Sequence, residues 1–138
     1  MQRSAEIESL VRELYESFGA GDPDRLDALI SGEDGVVMIG TAPTEWWVGR
    51  DMILDRWRNQ LQEMAGFALE PGPELQAFEE GDVGWVMDRP SFVAPDGLRV
   101  PGRFTVVLHR ERGVWKIVQG HASMGVPGEE TTGRDRAT

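Results

Sequence analysis

The chain has 138 residues, no cysteine and a formal charge of −10, with 40% hydrophobic and 28% charged side chains. That is long enough for one domain with a real core and no need of disulfides or metal. The charge repels phosphate backbones and anionic lipid, no basic patch offsets it, and no run approaches the roughly eighteen apolar residues of a membrane span. Nucleic acid and membrane are therefore not expected as partners, and the missing cysteines and polar start at Met1-Gln2-Arg3-Ser4 point to the cytoplasm.

Ile7, Leu10, Val11, Leu14, Tyr15 and Phe18 recur at helical spacing, with Ser4 as N-cap and Gly19-Ala20-Gly21 as the stop. Asp22-Pro23 opens a short second helix carrying Leu26, Leu29 and Ile30. Val36-Val37-Met38-Ile39 reads as a short buried strand and Gly40 to Thr44 as a loop. From Gly49 a third helix places Ile53, Trp57, Leu61 and Met64 on one stripe. Four strands follow, over 67–79 with an interruption at Pro71-Gly72-Pro73, then 83–93, 98–110 and 114–124. The tail from Pro127 has almost no apolar content, so a single domain over 1–125 and a disordered 126–138 are expected. Helices followed by strands make an α+β domain: an antiparallel sheet curled around three N-terminal helices, the only cover available for its apolar face.

The last two strands form the most regular pattern in the chain. Arg112 in a two-residue type I′ turn would need positive φ, so a three-residue loop with Gly113 left-handed is expected. That register sets Leu108 opposite Lys116, Val106 opposite Val118, Phe104 opposite Gly120 and Arg103 opposite His121. Hydrocarbon then lines the inside, and Arg103 and His121 lie outside. A two-residue turn at Asp96-Gly97 puts Trp85, Met87 and Arg89 on the apolar face and Asp88 beside Arg103 on the other; a three-residue Pro95-Asp96-Gly97 loop inverts this.

The order of elements, with Trp46-Trp47-Val48-Gly49, Gly81-Asp82-Val83-Gly84-Trp85, Arg103-Phe104-Thr105 and Gly113-Val114-Trp115-Lys116-Ile117 leading to His121-Ala122-Ser123, resembles the SnoaL-like branch of the nuclear transport factor 2-like superfamily. The last third also resembles the association domain of calmodulin-dependent protein kinase. The resemblance implies a cone-shaped domain with a pocket between curled sheet and first helix, and pairing of two copies through the outer sheet face. Catalytic relatives use a pocket carboxylate, in the steroid isomerases on the first strand, and the kinase domain uses arginines on its last two strands. Here the first strand carries no ionisable group, and the arginine positions look like Val106 and Ala122. The pocket implied is apolar.

Its candidate lining is Tyr15, Met38, Trp46, Trp47, Trp57, Trp85, Met87, Arg89, Phe104 and Val106, suited to an apolar or aromatic ligand, with Arg89 able to meet an anionic end. For catalysis the candidates are Asp88, Arg103 and His121, with Tyr15 as a hydroxyl donor; Ser123 lacks the strained turn of a nucleophile. His109 and His121 share a face but fall about 20 Å apart, too far to hold a metal together. The expectation is a homodimeric binder of a small molecule without cofactor or metal, and the alternative is a cyclase, dehydratase or isomerase.

Overall fold

A computed structural model of the chain describes residues 1–126. The tail expected to be disordered lies, apart from its first residue, outside the described residues. After a two-residue strand β1 (Gln2–Arg3), helix α1 (Ala5–Ala20) buries Ile7, Val11, Leu14, Tyr15 and Phe18 on one face. Both caps are those the sequence indicates. Ser4 Oγ accepts from the Ile7 N–H (3.3 Å), and Gly21, at φ 66°, donates to the Phe18 carbonyl (3.1 Å). Helix α2 (Asp24–Leu29) follows, then strands β2 (Val37–Ile39) and β3 (Trp46–Val48), and helix α3 (Arg50–Glu63). Arg50 donates to the carbonyls of Ile30 (2.8 Å) and Asp27 (2.9 Å), which pins the start of α3 to the end of α2.

β3 corrects the sequence reading, which left Trp46-Trp47-Val48 unassigned, although two aromatics and a β-branched residue favour a strand. The remaining strands are β4 (Ala68–Glu70), β5 (Gln76–Glu80), β6 (Val83–Asp88), β7 (Ser91–Val93), β8 (Arg99–Pro101), β9 (Arg103–Glu111) and β10 (Val114–Ser123). Seven form a main sheet in the order β1-β5-β6-β9-β10-β2-β3, and β4-β7-β8 form a second. The expected continuous strands are therefore broken, at Arg89-Pro90 and at Gly102, where the Gly102 N–H donates to the Pro90 carbonyl (2.8 Å). Proline has no N–H for the ladder and glycine tolerates the bend, so the chain leaves the main sheet at both points. The sheet is mixed rather than antiparallel, because β2 runs parallel to β10. The chain leaving α2 already runs alongside β10 at Ile30, which bridges Ile117, and Ser31 N–H donates to the Ile117 carbonyl (2.9 Å).

Both predicted registers are displaced, β6–β9 by one residue and β9–β10 by one residue near the turn and two beyond it. The hairpin β7–β8 uses the three-residue loop Pro95-Asp96-Gly97, with Ala94 N–H donating to the Leu98 carbonyl (2.8 Å), so Val86 faces Val106 and Asp88 faces Phe104. Gly84, Val86 and Asp88 point inward, and Trp85 and Met87 outward. At the β9–β10 turn Arg112 and Gly113 both take positive φ (53° and 78°), closing a two-residue connection between Glu111 and Val114. A left-handed non-glycine residue costs about 1–2 kcal/mol, whereas burying Trp115 and Ile117 returns roughly 1.5–3 kcal/mol each, so packing overrides the turn preference. A bulge at Val118 then shifts the phase: Leu108 faces Ile117, but Val106 faces Gly120, Thr105 faces His121 and Arg103 faces Ser123.

α1 lies across the inner face of the main sheet. Ile7, Val11, Ala77, Val86, Leu108, Trp115 and Ile117 are all buried there in one cluster. Gly84 makes that approach feasible, since a side chain on it would collide with Ile7 and press on Trp115. No helix among the described residues is long and apolar enough to cross a membrane.

Candidate functional site

Beyond Leu14 on α1 the interior is hollow. A cavity of about 230 Å³ lies between α1, α3, the inner face of β2, β9 and β10, and the second sheet. An apolar cavity of about 150 Å³ suffices to take up benzene, so this one has room for a bicyclic or short-chain molecule. Its wall is almost wholly hydrocarbon and aromatic. α1 contributes Tyr15 and Phe18, α3 contributes Trp57, and β2, β3 and β9 contribute Met38, Trp47 and Phe104. Phe92, on the second sheet, meets Phe18 edge-on at 5.9 Å, and Phe18 lies at the same distance from Trp57, so aromatic rings tie the two helices to the second sheet across the hollow. Tyr15 lies 5.8 Å from Phe104 in the same way.

Of the predicted lining, Tyr15, Met38, Trp47, Trp57 and Phe104 come together on this wall. Trp46, Trp85, Met87, Arg89 and Val106 do not. Trp46 is 62% exposed, because the pleat that turns Trp47 inward turns its neighbour out. Trp85 stacks on Phe78 (6.2 Å) on the outer face, and Met87 is exposed beside it; the register error accounts for both. Arg89, expected to meet an anionic ligand, instead pairs with Glu74 at 3.0 Å. Val106 is buried in the solid part of the core. The sequence reading missed Phe18, Phe92, Leu69 and Gln60 as wall residues. Phe18 and Leu69 were legible only as generic core, and Phe92 only once the break at Pro90 is known.

Asp88, expected on the outer face, is 5% exposed on the inner one. Its carboxylate accepts the Tyr15 hydroxyl (2.9 Å) and the backbone N–H groups of Gly72 (3.1 Å) and Arg89 (2.8 Å). This acceptor binds the Pro71-Gly72-Pro73 turn and the end of β6 to the first helix. Burial, reinforced by the Asp88 charge, raises the Tyr15 pKa well above its ordinary value, so the phenol keeps its proton and holds it in the hydrogen bond donated to Asp88. Tyr15 reaches the cavity; Asp88 sits behind it. Arg103 and His121 also line the cavity, although both are exposed, and Arg103 Nε donates to Ser123 Oγ (3.2 Å). His121 lies opposite Thr105, four residues from His109 along β9, which is about 13 Å rather than 20 Å and still beyond the reach of one ion.

Two further polar groups belong to residues of the wall. Trp57 Nε1 is buried and has no hydrogen-bond partner. Glu45 lies against Gly40, where any side chain would collide with its carboxylate, and it makes no hydrogen bond or ion pair with its side chain among the described residues.

Residues 7–127 match the family model of the SnoaL-like domain. The chain belongs to the SnoaL-like domain family. Its fold is that of the nuclear transport factor 2-like superfamily: an NTF2-like protein of unknown function from Pseudomonas putida KT2440 superposes with a TM-score of 0.82 at 18% identity, covering 97% of this chain and 94% of that one. A Thiobacillus denitrificans protein named for a calcium/calmodulin-dependent protein kinase type II association domain gives 0.75 at 22% identity, covering 86% and 94%. A Streptomyces avermitilis protein of the NTF2-like family, assigned by name to the dehydratases, gives 0.76 at 18% identity, covering 88% and 94%. At these identities the likeness carries the fold and no chemistry. Comparison with curated proteins finds no match.

Proposed function

We propose that this SnoaL-like protein is a cytoplasmic homodimer that binds a small, mainly apolar or aromatic molecule between α1, α3 and the sheet. The observation that carries this reading is the hollow of about 230 Å³ with a wall of aromatic and aliphatic side chains, in a protein whose other end is packed solid. Empty apolar volume costs stability in a free protein and is recovered when a ligand fills it. For the dimer the support is the outer sheet face, where exposed Val83 and Met87 flank the half-buried Trp85, Phe78 and Val107. The charge of −10 and the lack of cysteine favour a cytoplasmic setting free of nucleic acid and lipid.

A thermal-shift screen against aromatic and polyketide-like compounds tests binding, with mass spectrometry of each hit to detect turnover. Hits recovered unchanged fit the proposal; no stabilisation by any apolar compound removes it. Light scattering at a concentration-independent mass near 15.4 kDa removes the dimer.

One contact favours a second reading, proton transfer as in a cyclase, dehydratase or isomerase: the Tyr15 hydroxyl on the cavity wall, held by buried Asp88. In that case a product is formed and is lost in Asp88→Asn or His121→Ala. Against it stands the saturation of Asp88, whose carboxylate already accepts from three donors.

A further inference from the structure

We infer that the pairing of two copies is controlled by pH: the outer sheet face closes on a second copy while His121 is neutral and releases it when that ring takes up a proton. The inference rests on the homodimer proposed above. β10 faces the cavity with Gly120 and Ala122, and the alternation of a strand sends the intervening His121 side chain to the outer face, where it is exposed. The registers place it in the middle of a row across five strands: Trp46 on β3, Ile39 on β2, His121 on β10, Thr105 on β9 and Met87 on β6. The neighbouring row runs through Val37, Val107 and Trp85. Trp46 and Met87 are exposed, so the two rows form a largely apolar face around one imidazole. Charge selects a second copy as its cover. None of the chain's 24 acidic side chains stands in these rows, whereas the whole chain carries −10, so two copies repel least where these faces meet.

The groups around His121 offer a proton no compensation. On β9 its diagonal neighbour is Arg103, a second cation, whose Nε is engaged by Ser123 Oγ (3.2 Å). β2 and β3 present only hydrocarbon and indole at Val37, Ile39 and Trp46, and β10 itself adds the uncharged Gln119 and Ser123. Glu45, next to Trp46 in the chain, turns to the cavity side against Gly40, and Glu74 is taken by Arg89 at 3.0 Å. A protonated His121 is solvated in the free chain, but under a second copy it becomes a covered charge beside a like charge. A two-fold contact counts that cost twice. His109, the other of the chain's 2 histidines, differs: its Nδ1 lies 3.8 Å from Glu111, so a proton there meets a carboxylate.

Sedimentation equilibrium of the full chain between about pH 7.5 and about pH 5.5 brackets the range in which imidazole ordinarily titrates. Two rings that must both be neutral for pairing raise the dimer dissociation constant by about 100-fold across that interval, and the product should be a folded monomer by circular dichroism. The global charge works in the opposite direction, since a less negative chain repels its copy less at the lower pH. His121→Gln should stay dimeric throughout, with its dissociation constant changing by less than about threefold, while His109→Gln should keep the full response. A dimer of the unaltered chain that is indifferent to pH, a response that survives in His121→Gln or vanishes in His109→Gln, or unfolding in place of a folded monomer overturns the inference and leaves the dimer standing. A monomer already at about pH 7.5 overturns both, and leaves the cavity's binding role untouched.

Discussion

The two ends of the layer between α1 and the main sheet are built from the same helix and the same strands, yet one is solid and the other hollow. At the solid end Ile7 and Val11 descend onto Gly84, Leu108, Trp115 and Ile117, and a single glycine lets helix and sheet meet. At the hollow end Tyr15 and Phe18 leave the same helix, but the strands beneath them have bent away at Pro90 and Gly102 into a second sheet. Aromatic rings span the gap, and only at its margin does Gly19 bring α1 close to Ala68 of β4. What separates a core from a binding site here is where the strands break, not how hydrophobic the residues are.

Substitutions at the two ends should therefore differ in size. Trp115→Ala, at 2% exposure in the solid end, should cost about 3–5 kcal/mol in denaturant unfolding, enough to unfold much of a marginally stable domain. Asp88→Ala, at the boundary, should cost about 3 kcal/mol, since a phenol and two backbone N–H groups lose one charged acceptor. A smaller result would mean that water replaces the carboxylate.

Alkaline pH gives the next effect in size. The unfolded chain releases its tyrosine proton near pH 10, while the folded chain keeps it, because burial and Asp88 raise the Tyr15 pKa. This contribution is intact below about pH 10 and is lost above it at about 1.4 kcal/mol per pH unit until the folded chain also ionises. Tyr15 is the chain's 1 tyrosine, so absorbance near 295 nm should show no tyrosinate until the protein unfolds, and Tyr15→Phe should flatten this part of the stability profile. Early titration at pH 10 would place Tyr15 in water. The smallest effect is expected at the hollow end, where Trp57→Phe removes a ring edge and an unpartnered N–H and should change stability by less than about 1.5 kcal/mol. A loss as large as that of Trp115→Ala would show that both ends are core.

The helices were legible because each carries its own period and caps within a few residues, as with Ser4, Gly21 and the Ile7-to-Phe18 stripe. Which side chains share a sheet face was less so, since one residue in a turn inverts a whole strand: Trp85 and Met87 were read as inward and Asp88 as outward for that reason. The parallel pairing of β2 with β10 and the Tyr15–Asp88 contact join residues far apart in sequence, and no local pattern encodes them. Family resemblance supplied the expectation of a pocket beneath the first helix. It could not supply Glu45 or the unpaired Trp57 nitrogen, which depend on the β2–β3 connection and on the rotation of α3.

The extra residue at Val118 has a consequence for how such a protein can change. Upstream of it, Trp115 and Ile117 point into the solid end; downstream, Gly120 and Ala122 border the hollow. Pairing Val118 into the ladder would reverse one of the two halves, whereas deleting it would make Ile117, Gln119 and Gly120 consecutive and leave both facing as they do. The bulge acts as a clutch: it takes up one residue, so the strand can gain or lose a residue at this point without exchanging the faces of either compartment.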